Sequence, residues 1–549
     1  MVRIDIAPCD AEATALLRER LGVSDALAQT LVRRGYSDPR HARAFLAADE
    51  SHDLDAFGGL RDAAALLFDS AQAGRQITIH GDYDVDGVCS TAVLVRTLRK
   101  LGARVDWYLP DRAAGYGLSS ATVRTLAQRG TGLLVTVDCG ITAVDEIALA
   151  RSLGIQTIVS DHHLPRADGA LPDAPIVHPT LCGYPCNELC ATAVAHKLAQ
   201  ATLQAAGRDR READEDLDLV ALASIADVVA LVGENRSLVR RGLRALATTA
   251  KPGLRALMSV ARVEPGKVNE RAVGFALAPR INAAGRLYRA DAALELILAE
   301  DAMRAAQIAD ELDRANGERR HTEQAIRFQA EAQISQLGGP ARSAYVLAHE
   351  SWHPGVIGIV ASRLAERHRR PVVLVALDGE TGRGSGRSIE GYDLLGGLTA
   401  CAVHLRHYGG HSAAAGVELE RGSLGSFAAG LEAHAASVLS ADDLLPRERV
   451  DAIVAGPELG MELAEELAIL APFGRGNPTV SLMVKDAVLR DVRSMGEGKH
   501  ARFTLESGGV HARGVAFGND GRLGVAEGER VEATFALEVN EWRGVSEPR

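Results

Sequence analysis

The sequence predicts a multidomain α/β chain. A parallel-sheet domain and a second α/β unit are joined by a long helix, and a small β-barrel follows at the C-terminal end. Three observations carry this. Between residues 76 and 160, short β-prone runs alternate with longer amphipathic helical patterns on short connections, the pattern of a parallel sheet covered by helices. A second alternating unit begins at Tyr345-Val346-Leu347. Beyond Val450, strand-like runs on turn-rich spacing replace the alternation.

Taken in order, residues 1–50 place apolar and charged positions at helical spacing, as in Ala26-Leu27-Ala28 and Ala44-Phe45-Leu46, and read as a helical N-terminal segment. Strands are expected at 76–80, 104–109, 133–137 and 155–160, with helices over about 88–101, 119–129 and 142–153 between them. Helices dominate from about 191 to 335, ending in a charged stretch, Glu311–Glu331, expected as one long exposed connector. The second unit runs from its first strand through a helix near 355–369, a strand at 372–376 and glycine-rich turns. The runs 480–484, 501–505, 510–517 and 531–539 suggest a barrel of the OB type. One further barrel strand is expected past Asn540-Glu541-Trp542-Arg543-Gly544.

Composition bounds the function. Of 549 residues, 47% are hydrophobic and 24% charged, enough for sizeable cores. A formal net charge of −11 is the wrong sign for a protein that coats nucleic acid through bulk charge. Any such grip must be local, through a basic channel or bound cations. The N-terminus lacks a signal pattern and no apolar run approaches a membrane span, so no membrane role is expected. Seven cysteines in so long a chain do not form a disulfide framework and suit a reducing cytoplasm. Cys182, Cys186 and Cys190 recur every fourth residue, but Gly183-Tyr184-Pro185 breaks any helix there and a fourth ligand is missing, so they read as ordinary buried thiols.

The chemistry lies at strand ends. His80-Gly81-Asp82-Tyr83-Asp84-Val85-Asp86-Gly87 sets three aspartates at alternate positions after the first strand of the alternating region. Such crowding is unfavourable unless a cation neutralises it. An EF-hand calcium loop spaces aspartates similarly, but it closes on a glutamate and lies between helices. Asp138-Cys139-Gly140 and Asp161-His162-His163 follow two later strands, and Pro110-Asp111-Arg112 a third. Ligands of open parallel sheets bind outside the carboxyl ends of the strands. Asp227 follows an apolar helical run and is flanked by Val228-Val229. Carboxylate and imidazole donors without thiolates suit manganese or magnesium. Two such ions about 3.5–4 Å apart can activate a water and stabilise a leaving oxygen. The residues alone therefore point to metal-dependent hydrolysis of phosphoesters or phosphoanhydrides.

The series His80-x-x-x-Asp84-x-Asp86, Asp138, Asp161-His162-His163 and Asp227 resembles the motif series of the DHH phosphoesterase superfamily over most of 75–230. The resemblance implies His80 and Asp84 on one cation, Asp86, His162 and Asp227 on a second, and Asp138 bridging them. It places His163 near the scissile phosphate and Asp82 beside the ions, with Asp138, as catalytic residues. Arg383–Ser388 and Gly409–Gly416 resemble the DHH-associated substrate domain, whose glycines let backbone amides approach phosphate while Arg387, Ser388 and His411 bind substrate. Pro279–Arg286, Asp111–Gly117 and Ala471–Pro478 resemble segments of the RecJ family, and Arg112 and Arg280 are expected to face nucleic-acid phosphates.

The resemblance thus divides the chain into a helical segment (1–50), a DHH domain (51–270), a helical connector (271–337), a DHH-associated domain (338–440) and an OB-fold (450–549). It implies a single-stranded-DNA-specific 5′→3′ exonuclease of DNA repair and recombination, using two Mn2+ or Mg2+ ions and releasing 5′-mononucleotides. Single-stranded DNA is the implied partner, with a helicase and a single-strand-binding protein beside it, and one catalytic set per chain makes a monomer adequate. A phosphodiesterase for short RNA or cyclic dinucleotides shares the metal chemistry, but the length and the barrel argue against it. A non-catalytic replication scaffold on the same fold would not keep every metal-binding position.

Overall fold

The computed structural model describes residues 3–110, 117–287, 289, 291–338, 342–542 and 544–549. Its central feature is a five-stranded, all-parallel sheet in the order Val105–Tyr108, Ile77–His80, Leu133–Val137, Gln156–Ser160, Ile176–Val177. Ile77–His80 and Leu133–Val137 are buried at every position, as a sheet covered on both faces requires. The chain winds outward in one direction to Val105–Tyr108 and in the other to Leu133–Val137. This order places the topological switch, where such sheets open a crevice, between Ile77–His80 and Leu133–Val137. The carboxyl ends of those two strands carry the acidic loop and Asp138.

The helices Val85–Lys100, Ala191–Ala205 and Leu217–Ala226 share one apolar cluster with the sheet. The connector is a single 35-residue helix, Ala302–Gln336, about 50 Å long at 1.5 Å per residue. Ala305, Ile308 and Leu312 sit in the first core, and Ile326, Ala330 and Ile334 in the second. The expectation of an exposed connector is corrected here. Arg319 and Glu323 are buried and bonded to each other at 2.7 Å, and Arg363 of the helix Pro354–His368 approaches Glu323 at 2.5 Å.

The second unit is a five-stranded mixed sheet in the order His407–Gly410, Ala414–Glu420, Thr381–Arg387, Val372–Asp378, Tyr345–His349. The C-terminal region curls because its 14-residue strand Leu482–Met495 changes partner along its length. Its first half pairs with Arg530–Phe535 and its second with His500–Ser507, with register shifts beside the left-handed Asp486 and Asp491. Past Gly544 the strand Val545–Pro548 pairs with Val539–Trp542 in a separate hairpin and does not extend the curled sheet as the expected barrel strand would.

The N-terminal segment differs from its reading as a helical leader. It opens with a strand, Arg3–Ile6, paired in parallel with Arg447–Val450, and its helices share a core with the C-terminal region through Leu17, Leu27, Leu31, Val454, Leu467 and Leu482. No helix among the described residues is long and apolar enough to cross a membrane.

Candidate metal centre and substrate face

The acidic loop is shaped by close backbone contacts. A Cβ on Gly87 would lie 2.5 Å from both the amide nitrogen and the carbonyl oxygen of Asp82, so only glycine lets the loop fold back on itself. Asp84 then caps the helix Val85–Lys100, its Oδ1 accepting from the amides of Asp86 at 3.0 Å and Gly87 at 3.1 Å. Asp138 leaves Leu133–Val137 in the left-handed region, at φ 60°, a strained conformation of the kind that collects at functional sites.

Among the described residues, three groups of ligand-type side chains bring their donor atoms within 4.8 Å of one another: Asp86–His162–Asp227, Asp82–Asp84–Asp138, and Asp138–His162–His163. His162 links the first and third, with Nε2 3.2 Å from Asp138 Oδ1 and 3.8 Å from Asp86 Oδ2, and Nδ1 3.9 Å from Asp227 Oδ2. The structure thus brings together seven of the sequence-predicted residues. His80 belongs to none of the three groups. Its ring is buried, stacks on Tyr108 and sets Nδ1 3.5 Å from Cys139 Sγ.

The electrostatics fit a cation. Burial, then the neighbouring Asp86 and Asp84, push the carboxyl of Asp138 well above the usual carboxylate range. Burial and the same two neighbours push Asp227, whose side chain is 31% exposed, up to about 8. Burial and Asp86 raise Asp84 as well. Burial lowers His80 to about 4, which keeps its imidazole neutral, and its buried Nε2 makes no hydrogen bond. His162 Nε2 is likewise buried without a hydrogen bond, its approach to Asp138 being poorly aligned for one. Neutral imidazoles with unspent lone pairs beside crowded carboxylates are what a divalent cation requires.

His163 is different. Burial opposes its protonation, but Asp161, 2.8 Å from Nδ1, together with Asp227 and Asp86, outweighs burial and holds its pKa above the ordinary range. Asp161 is an anchor. Its oxygens also accept from the amides of His162, His163 and Ile141.

Sequence reasoning missed two residues at the centre. Thr192, at the start of the helix Ala191–Ala205, gives Asp86 both its amide and its hydroxyl. Asn282 accepts from the amide of Val85 at 3.1 Å. Asn282 lay in a segment singled out by resemblance, whereas a lone threonine before an apolar helix carries no signal.

Arg112 lies outside the described residues. Arg280 is held by partners within the protein. Its guanidinium bonds Asp313 at 2.8–2.9 Å and the carbonyl of Ala276 at 2.6 Å, and the side chain is 13% exposed. In the second sheet, Arg387 pairs in register with Ala414, the amide of Ser388 donates to Ala413, and the amide of His411 donates to Ala414. These three predicted substrate residues therefore meet at one end of that sheet. The Arg387 guanidinium bonds Ser385 and Gly386, and the Ser388 hydroxyl donates to Tyr392. Cys182, Cys186 and Cys190 are free thiols. Cys182 bonds the carbonyl of Ile176 and Cys190 lies 3.3 Å from the hydroxyl of Ser224.

The chain resembles known proteins along its whole length. Residues 76–225 match the DHH family N-terminal domain, 340–436 the DHHA1 domain and 450–549 the RecJ OB domain. The single-stranded-DNA-specific exonuclease RecJ of Bacillus subtilis (strain 168) is 38% identical over 559 aligned positions, covering all of this chain and 70% of the relative. The Escherichia coli (strain K12) protein of the same name is 36% identical, covering 88% of each chain. Among solved structures, RecJ from Thermus thermophilus in complex with Mn2+ superposes with a TM-score of 0.87 at 33% identity, over 100% of this chain and 78% of that one. The same protein in complex with Mg2+ gives 0.81 at 32% identity, over 99% and 77%. The chain belongs to the RecJ family of DHH phosphoesterases.

Proposed function

We propose that this chain is a single-stranded-DNA-specific exonuclease that holds two divalent cations, Mn2+ or Mg2+, and removes 5′-mononucleotides in the 5′→3′ direction. One observation carries the reading: in a RecJ-family chain, five aspartates and two histidines converge at the carboxyl edge of the parallel sheet. In this reading Asp86, His162 and Asp227 would hold one cation, His80 and Asp84 the other, and Asp138 would serve both. The cations would lower the pKa of a bound water and offset charge on the leaving oxygen.

The protein's own residues do the rest. Asp161 favours the protonated form of His163 and orients its ring as a donor to the scissile phosphate. Asp82 adds a third carboxylate to the Asp84–Asp138 side. Arg387, Ser388 and His411, at one end of the second sheet, take the phosphates of the strand's terminal nucleotides. Single-stranded DNA is the partner of this monomeric, cytoplasmic reading, with a helicase and a single-strand-binding protein supplying and covering the strand.

The test is digestion of 5′-labelled and 3′-labelled single strands, each beside its duplex, with Mn2+ and with EDTA. Rapid release of labelled mononucleotide from the 5′ end of the single strand alone, abolished by EDTA, is expected. Efficient degradation of a blunt duplex, or a strong preference for oligomers of a few nucleotides, would overturn the reading.

A further inference from the structure

The helix Val85–Lys100 starts inside the acidic loop, so its unpaired first-turn amides would compete with a bound cation for the same carboxylate oxygens. Asp84 Oδ1 already serves two of those amides, Asp86 and Gly87, and the amide of Val88 goes to the carbonyl of Asp84. The amide of Val85 is left over. It donates to Oδ1 of Asn282 at 3.1 Å, from a helix 197 residues downstream.

That helix, Ala278–Leu287, presses on the loop at a second point. A Cβ on Gly285 would lie 2.8 Å from the carbonyl oxygen and 3.0 Å from Cβ of Tyr83. Asn282 and Gly285 are three residues apart and share one helix face. They therefore bracket Asp84, one gripping the residue after it and the other the residue before. Two residues ahead of Asn282, Arg280 bonds Asp313 on the connector helix.

We infer that Asn282 is a positioning residue of the metal loop, and that the helix Ala278–Leu287 fixes this loop against the connector. The inference rests on the metal-site reading above. Without the Asn282 acceptor, the amide of Val85 loses its partner, and the loop that sets the Asp84 carboxylate beside Asp138 loses one of its two holds on this helix. Outer partners that orient metal ligands are worth roughly 10–100-fold in metal affinity or activity when removed.

The experiment is a titration of the full chain with Mn2+, followed by the electron paramagnetic resonance signal of the free ion, with kcat and KM for single-stranded DNA measured at saturating Mn2+. Asn282→Ala is expected to weaken Mn2+ binding by about 10-fold or more, leaving KM unchanged. Asn282→Asp keeps an acceptor oxygen in place and is expected to restore most of the binding. Wild-type Mn2+ affinity in Asn282→Ala overturns the inference while leaving the metal-site reading intact. So does a defect confined to KM, which would make Asn282 a DNA contact, or an Asn282→Asp variant that folds normally yet binds no better than Asn282→Ala. A wild-type chain that binds no Mn2+ removes the metal-site reading and this inference together.

Discussion

Thr192 gives Asp86 two bonds to one oxygen: its hydroxyl lies 2.6 Å and its amide 2.7 Å from Oδ1. The amide of Ala191 takes Oδ2 at 2.7 Å. Asp86 is therefore bound as an anion at the N-terminus of the helix Ala191–Ala205, where the helix dipole favours negative charge. A carboxylate offers roughly four acceptor sites, so these three donors leave room for a cation on the side of His162 and Asp227.

Thr192 is fully buried, so losing its hydroxyl leaves an anion short of a charge-assisted bond. Thr192→Val is expected to cost about 1.5–3 kcal/mol of stability, measured by urea unfolding in EDTA, while Thr192→Ser retains most of it. Equal midpoints for wild type and Thr192→Val would show that the hydroxyl contributes nothing.

Asp138 is the most crowded acid, and asparagine there copies the protonated form that the cluster favours without a cation. Asparagine also tolerates the left-handed backbone of this position, φ 60°. Asp138→Asn is expected to keep or raise the melting temperature in EDTA. It should also lose the rise that Mn2+ gives the wild type, and its exonuclease rate should fall by more than about 100-fold, beyond the loss of an outer partner. Near-normal turnover would remove Asp138 from its place between the cations.

The candidate metal residues were legible because each lies within a few positions of a strand or helix end, and strand order brings such ends to one crevice. Their supports were not. The bonds of Asp86 to Thr192 and of Val85 to Asn282 span 106 and 197 residues, and no local pattern encodes a contact of that range. Arg319 and Glu323 read as exposed connector charge because sequence spacing does not show the partner, Arg363, that accompanies their burial. The strand Arg3–Ile6 was invisible for a similar reason. Four residues gain strand geometry only by pairing with Arg447–Val450.

The titration of the centre sets a sign for pH. Asp227, Asp84 and Asp138 have raised pKa values in the metal-free fold, so the folded state holds more protons than the unfolded one and stability falls as pH rises. His163, also raised, acts in the same direction. His80, lowered to about 4, acts oppositely, but its contribution is complete above its unfolded value of 6.5. Between 6.5 and about 8, where Asp227 loses its proton, the raised groups dominate. The melting temperature in EDTA is expected to fall across this window, and saturating Mn2+ should flatten or reverse the slope. A flat or rising profile in EDTA would mean that the acids are not crowded in the metal-free protein.

Arg280 tests whether a charged side chain on the helix Ala278–Leu287 serves DNA or the protein. Its pair with Asp313 joins the helix Ala278–Leu287 to the connector, and with the side chain 13% exposed the guanidinium is screened from solvent. Arg280→Ala should therefore lower thermal stability and leave the salt dependence of DNA binding unchanged, because no phosphate contact is lost. Asp313→Asn should cause part of the same loss. The double mutant should fall short of the sum of the two by a coupling of about 0.5–3 kcal/mol. If Arg280→Ala instead makes the salt dependence shallower while Asp313→Asn has no effect, Arg280 leaves its ion pair to bind phosphate, and the connector does not depend on that pair.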